Sequence, residues 1–246
     1  MSPRLTRRGW VVLAGPAVLL SALVVVVVVR SGGDGCTVTS GGQTVSLSRD
    51  DTEKAAIAVT DGRLRYGDDA AARTAVQRAI GLKGADGRLL AAALAGSAKA
   101  ALVCDGFGAP DSESDRLNGE GLTARAERIR EILRGRYRSM PLGGYAPGGV
   151  HSGHMPGSAH YEGRAIDAFS RPISAKNKVR GWALAQYLVA RAKTLDIATV
   201  IFDGRIWTAE KADQGWRPYV VAAHGRSQAT VNILEHRDHV HVDVFS

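Results

Sequence analysis

The order of apolar and polar positions divides the chain into unlike stretches. Trp10 to Val29 is twenty residues without a charge and ends in six consecutive valines. At about 1.5 Å per residue such a helix spans roughly 30 Å, the thickness of a bilayer core. Arg4, Arg7 and Arg8 precede the run and Arg30 alone follows it. The positive-inside rule then keeps the N-terminus in the cytoplasm and sends the rest across. A cleaved signal peptide is the competing reading, but it calls for a shorter apolar core and a small-x-small site, which the valines lack. A lipid on Cys36 is the third reading, and Gly33-Asp34-Gly35 suits it poorly. The reading carried forward is a cytoplasmic tail and single-pass transmembrane anchor over residues 1–30, with the remainder extracytoplasmic.

Beyond the anchor the periodicity shortens. Thr37 to Leu47 alternates on either side of Gly41-Gly42, the pattern of a short hairpin. Ser48 stands where an N-cap belongs, before Asp50, Asp51 and Glu53. Ala-rich helical stretches follow near 69–80 and 86–103, punctuated by glycines. This predicts a small, mostly helical extracytoplasmic domain over 31–104. Residues 105–121, rich in Gly, Asp and Ser, read as a linker. Leu122, Ala126, Ile129 and Leu133 then mark one face of a helix over 122–136, and Trp182, Ala185, Leu188 and Val189 mark another over 179–194. Alternation at 164–169, 198–202 and 239–245 predicts strands of a mainly antiparallel sheet. The domain over 122–246 is therefore expected to be α+β.

Composition adds a compartment and a location for the chemistry. The net charge is +8, but residues 31–118 sum to −2 and residues 119–246 to +6. A basic half suits anionic cell-wall material, and nucleic acid is no expected partner behind a membrane anchor. The excess of Arg over Lys, with abundant Ala, Gly and Val, is the bias of a high-GC genome. Cys36 and Cys104 are the only cysteines. Export permits a disulfide between them, closing a loop of nearly seventy residues for roughly 4 kcal/mol; two buried thiols are the plainer alternative. All seven histidines lie after position 150, so any imidazole chemistry belongs to the last hundred residues.

Two segments concentrate that chemistry: Ser158-Ala-His160-Tyr-Glu-Gly163-Arg-Ala165-Ile-Asp167, and His236-Arg-Asp238-His239-Val-His241-Val-Asp243-Val. Alternation puts His239, His241 and Asp243 on one face of a strand. A neighbouring strand bearing Asp167, with His160 on the loop before it, brings two imidazoles and one carboxylate around a point. Such a set leaves a fourth position open on a catalytic zinc, where a water is activated and needs a base within reach.

These residues resemble a superfamily of zinc peptidases that includes D-Ala-D-Ala carboxypeptidases, lysostaphin-type endopeptidases and the hedgehog signalling domain. The pattern Ser-x-His-x-x-Gly-x-Ala-x-Asp, with Asp-x-x-His and His-x-His downstream, is complete here and covers roughly residues 120–246. Segments such as Gly-Gly-Tyr-Ala-Pro-Gly-Gly and His-Met-Pro-Gly-Ser-Ala-His are similar to those of exported actinobacterial proteins. The resemblance implies a hedgehog/D-Ala-D-Ala-peptidase-like antiparallel sheet with helices. It also implies Zn2+ held by His160, Asp167 and His241, and hydrolysis of peptidoglycan peptides. Branches of the superfamily differ on the base. This chain carries both options; Asp238 is read as base and His239 as transition-state donor, with the reverse left open. One departure stands out: Gly144-Tyr145 is followed by Ala146, where carboxypeptidases carry an arginine for the substrate carboxylate. Arg138 and Arg164 are the candidates to substitute, and neither occupies that motif position.

The remaining residues get plainer readings. Ser158 is expected to orient a ligand or loop; no Gly-x-Ser-x-Gly supports it as a nucleophile. His151 and His154 are read as structural or pocket-lining, with binding of a second metal as the alternative, and His154 and Arg164 are candidate substrate or outer-shell residues. Trp207 is read as a core anchor, with substrate or outer-shell contact as the alternative, and His224 and His236 are read as ordinary surface or core residues. The expected function is thus a membrane-anchored zinc metallopeptidase acting on peptidoglycan. A non-catalytic zinc-bearing wall-binding module and an envelope interaction domain are the alternatives.

Overall fold

The computed structural model describes residues 35–60, 67–105 and 115–246. Gly41 and Gly42, at φ 54° and 82°, close a two-residue hairpin between β1 (Gly35–Ser40) and β2 (Gln43–Ser48). A tight hairpin needs left-handed backbone at both turn positions, which glycine adopts without steric cost. Ser48 then caps α1 (Arg49–Val59), its Oγ accepting from the Asp51 N–H at 3.1 Å. α2 (Asp69–Ile80) ends at Gly81 and is followed by α3 (Gly84–Leu94).

Two expectations about this half are corrected. The stretch 86–103 does not continue as a helix: α3 stops at Leu94, and β3 (Ala101–Cys104) pairs antiparallel with β1. Gly96 makes the break, at φ 97° and so close to α5 (Ala175–Ala190) that a Cβ would stand 1.9 Å from the Val179 carbonyl oxygen. Leu102 and Cys104 turn inward, and Cys104 lies directly opposite Cys36, to which it is disulfide-bonded. The segment therefore adds a three-stranded sheet, ordered β2-β1-β3, to its three helices. The second correction concerns the membrane. Among the described residues no helix is long and apolar enough to cross one, so the expected transmembrane helix is not part of the described fold. Trp10–Val29, where the sequence places that helix, lies outside the described residues.

The second sheet is α+β, as the alternation predicts. Its elements are α4 (Ala124–Arg136), β4 (Leu142–Gly143), β5 (Ala165–Phe169), α5, β6 (Ile197–Phe202), β7 (Arg205–Thr208), β8 (Arg217–Pro218), α6 (Gln228–Leu234) and β9 (His239–Val244). The six strands run in the order β4-β5-β9-β6-β7-β8, each pair antiparallel. Thr123 and Ser174 cap α4 and α5. Val240, Val242 and Val244 turn to the face covered by α4 and α5, where Tyr137, Leu184, Leu188 and Phe202 complete the core.

The sequence places a linker at 105–121, of which 106–114 lie outside the described residues. On either side of it the chain shares one core, and residues 33–246 form a single compact unit. The Gln186 amide on α5 shows how: its oxygen accepts from Leu102 N at 3.1 Å and its nitrogen donates to the Ala100 carbonyl at 3.0 Å. A buried amide satisfied at both ends fixes β3 against the helix, because slipping either would leave polar groups unpaired.

Candidate metal centre

The register of the central ladder sets the site. Asp167 on β5 stands opposite His241 on β9, Phe169 opposite His239 and Ala165 opposite Asp243. Cross-strand partners point to the same side, so these residues share the face opposite α4 and α5. His160 arrives from a single 3-10 turn, Ala159–Glu162, which Ser158 opens with its Oγ accepting from the His160 N–H. Gly163, at φ 65°, reverses the chain into β5. Gly144 sits under the ring at φ 78°; a Cβ there would come within 2.3 Å of His160 Cε1.

The donor atoms converge. His160 Nε2 lies 3.1 Å from His241 Nδ1 and 3.3 Å from Asp167 Oδ1, and His241 Nδ1 lies 3.1 Å from Asp167 Oδ1. Ligands about 2.0–2.1 Å from a tetrahedral ion stand about 3.3 Å from one another, so this triangle fits one face of such a shell. The outer nitrogens are also tied. His160 Nδ1–H donates to the Gly144 carbonyl at 2.7 Å, and His241 Nε2 lies 3.3 Å from Asp243 Oδ2. Bonds of this kind select the tautomer that turns a lone pair toward a metal. The donors therefore fit a divalent cation.

The three residues are 2% to 6% exposed, so their charges are poorly screened. Burial alone would raise the Asp167 carboxyl. Hydrogen bonds from His160 and His241, with the nearby imidazole charge, instead hold it far below the ordinary carboxylate range. Burial pushes His241 down, but hydrogen bonding to Asp167 and Asp243 outweighs it and raises His241 to about 9.

His154 joins the cluster. Its ring stacks on His160 at 3.9 Å, and His154, His160 and Asp167 offer ligand atoms within 4.8 Å of one another, a group able to hold a metal ion. Tyr161 locks it: its hydroxyl donates to the His154 carbonyl at 2.6 Å and accepts from the His154 N–H at 3.0 Å. His241, with its Nδ1 3.1 Å from both His160 Nε2 and Asp167 Oδ1 and Asp243 behind it, competes with His154 for the third position, while burial and His160 hold His154 below its ordinary value.

The two candidates for a base are ordered by their contacts. Asp238 Oδ1 lies 2.7 Å from His239 Nδ1, and its Oδ2 accepts from Arg171 Nε at 2.6 Å. Burial raises this carboxyl, but those two hydrogen bonds bring it below its ordinary value. His239 turns its other nitrogen inward, Nε2 standing 3.7 Å from Asp167 Oδ1. Asp238 thus orients His239, and it is His239 that faces the donor triangle.

Two candidates lie elsewhere. Trp207 pairs with Val200, on the α5 side of the sheet, and is fully buried; it belongs to the core. Arg164 is engaged by Glu162 and the Val244 carbonyl, bracing the β5–β9 end. Four further contributors were not singled out as site residues in the sequence. They are the Gly144 carbonyl, Asp243 behind His241, Arg171 behind Asp238, and His236, whose ring lies 4.6 Å from that of His239. Burial first, then the charges of His241 and His239, push His236 down to about 3, and its shielded Nδ1 has no partner. Asp243 was within reach of sequence reasoning through its alternation with His241; Arg171 and His236 were not, because only the folded chain brings them there.

Residues 118–234 match the family model described as VldE, C-terminal domain. The match spans just under half of the chain and includes His160 and Asp167, but stops before Asp238, His239 and His241. No curated protein and no solved structure matches the chain.

Proposed function

We propose that the protein is a zinc-dependent hydrolase that cleaves peptide bonds of peptidoglycan outside the cytoplasm. The observation that carries the reading is the triangle of His160 Nε2, Asp167 Oδ1 and His241 Nδ1, with both outer ring nitrogens held. Two imidazoles and one carboxylate are donors that suit zinc and leave a position for chemistry. The Ser158-to-Asp167 pattern, shared with zinc peptidases of the cell wall, supports the substrate class. The Cys36–Cys104 disulfide supports an oxidising compartment.

When bound, zinc polarises a carbonyl and lowers the pKa of a water toward about 7. The chain's own residues then manage the proton. His239 Nε2 faces the triangle and accepts it from the attacking water, then delivers it to the leaving amine. Asp238 holds the opposite ring nitrogen, so His239 presents one tautomer and its cation is stabilised as it forms. Arg171 occupies the other Asp238 oxygen, which keeps that carboxylate from competing for the proton. His236 stays neutral beside His239 and adds no opposing charge.

The test is metal analysis of the full chain, with purified peptidoglycan incubated with and without chelator. About one zinc per chain, lost in His160→Ala, with chelator-sensitive release of peptides or amino acids, is the expected result. Zinc without release points instead to a metal-bearing wall-binding module. Absence of zinc overturns the assignment.

A further inference from the structure

A cavity of about 500 Å³ lies between the β1–β2 hairpin and α5, and no residue of the metal centre lines it. Its volume is within the range of small-molecule sites, roughly 300–1,000 Å³. We propose that it binds an anionic saccharide, a sugar unit carrying carboxylate or phosphate.

Charge is the first argument. No Asp or Glu lines the cavity, while Lys99 and Arg205 do. Both are exposed, and neither side chain has an ionic partner among the described residues. Two unpaired cations at one mouth, with no carboxylate to offset them, favour an anion.

The lining supplies the rest of the class. Trp182 and Trp216 meet edge to face at 5.1 Å. Their ring N–H groups are engaged within the protein, Trp216 with the Leu102 carbonyl and Trp182 with Asp203. The two indoles are buried and form the apolar floor of the cavity beneath its polar rim. Opposite them the hairpin offers the Thr39 and Thr44 hydroxyls and the Gln43 amide, groups that match sugar hydroxyls. The walls are also preorganised. Gln186 and the Trp216 ring N–H pin β3, and the disulfide joins β3 to the hairpin, so binding requires little ordering.

The inference does not depend on hydrolysis at the metal centre. It is tested by calorimetric titration of the full chain with four probes. These are N-acetylglucosaminyl-N-acetylmuramic acid, which carries a carboxylate; polyglycerol phosphate, which carries phosphate; neutral chitobiose; and polyglutamate, an anionic peptide. Loss of a charge-assisted hydrogen bond costs about tenfold or more in affinity. One of the two charged saccharide probes is expected to bind at least about tenfold tighter than chitobiose, and which one names the source. Lys99→Ala/Arg205→Ala should lose at least about tenfold, and Arg205→Glu more. His160→Ala should bind like the wild type, so loss of metal and loss of saccharide are told apart. Equal affinity for chitobiose, unchanged binding in both variants, binding of polyglutamate alone, or binding of none overturns the proposal.

Discussion

On β9, Val240, Val242 and Val244 turn to one side of the sheet, and His239, His241 and Asp243 to the other. The valines are held by non-directional packing, in which neighbours of similar volume are interchangeable at modest cost. The polar side obeys a stricter rule. Each tied ring nitrogen there has a definite partner: His160 the Gly144 carbonyl, His241 the Asp243 carboxylate, His239 the Asp238 carboxylate. One face stabilises the fold and the other spends polar burial on orientation, and their substitutions should fail in different ways.

The largest separation is expected at Asp167. Asp167→Ala removes the carboxylate from the triangle, and metal stoichiometry should fall to background while circular dichroism stays native. Trp207→Ala is the converse on the apolar face. It should cost about 3–5 kcal/mol in chemical denaturation, yet the folded fraction should keep its metal. A loss of metal in that variant with unchanged stability would break the division between faces. Asp243→Ala is the intermediate case: metal affinity should weaken about 10–100-fold in competition with a chelating dye, with stoichiometry retained.

The smallest effect is the proton. His241 is raised to about 9, so it remains protonated near neutral pH, and ligation through Nδ1 requires that proton to leave. Zinc added to chelator-treated protein near neutral pH should release about one proton from this site, seen with an indicator dye. The release should fade above about 9. The stability linkage has the same sign. A group raised on folding stabilises fully below its unfolded value near 6.5, and that contribution is lost as pH rises through about 9.

Part of the triangle was legible from local facts, strand alternation and the six-residue spacing of His160 and Asp167. That His241 completes it was implied by the resemblance, and it depends on β9 pairing with β5 seventy-four residues away. The contacts that separate Asp238 from His239 were not legible. They depend on Arg171, sixty-seven residues away, drawing the Asp238 carboxylate aside. For Trp207 the favoured reading, core anchoring, agrees with its burial, but the sequence left substrate contact open: a strand's alternation tells which residues share a face but not which face looks inward, and pairing with Val200 decides that. The helix expected to run to 103 failed because an Ala-Leu-Val run is compatible with either structure, and the β1 edge with its cysteine selected a strand.

Gly144 carries a consequence of a different kind. At φ 78° its L-position hydrogen points into the imidazole of His160, where a methyl would stand 2.3 Å from Cε1. The mirror-image methyl of D-alanine departs along the other Cα–H bond, away from that ring, and D-residues favour positive φ. Two proteins made by semisynthesis, identical in every atom but the hand of one carbon, should therefore differ in whether they hold a metal.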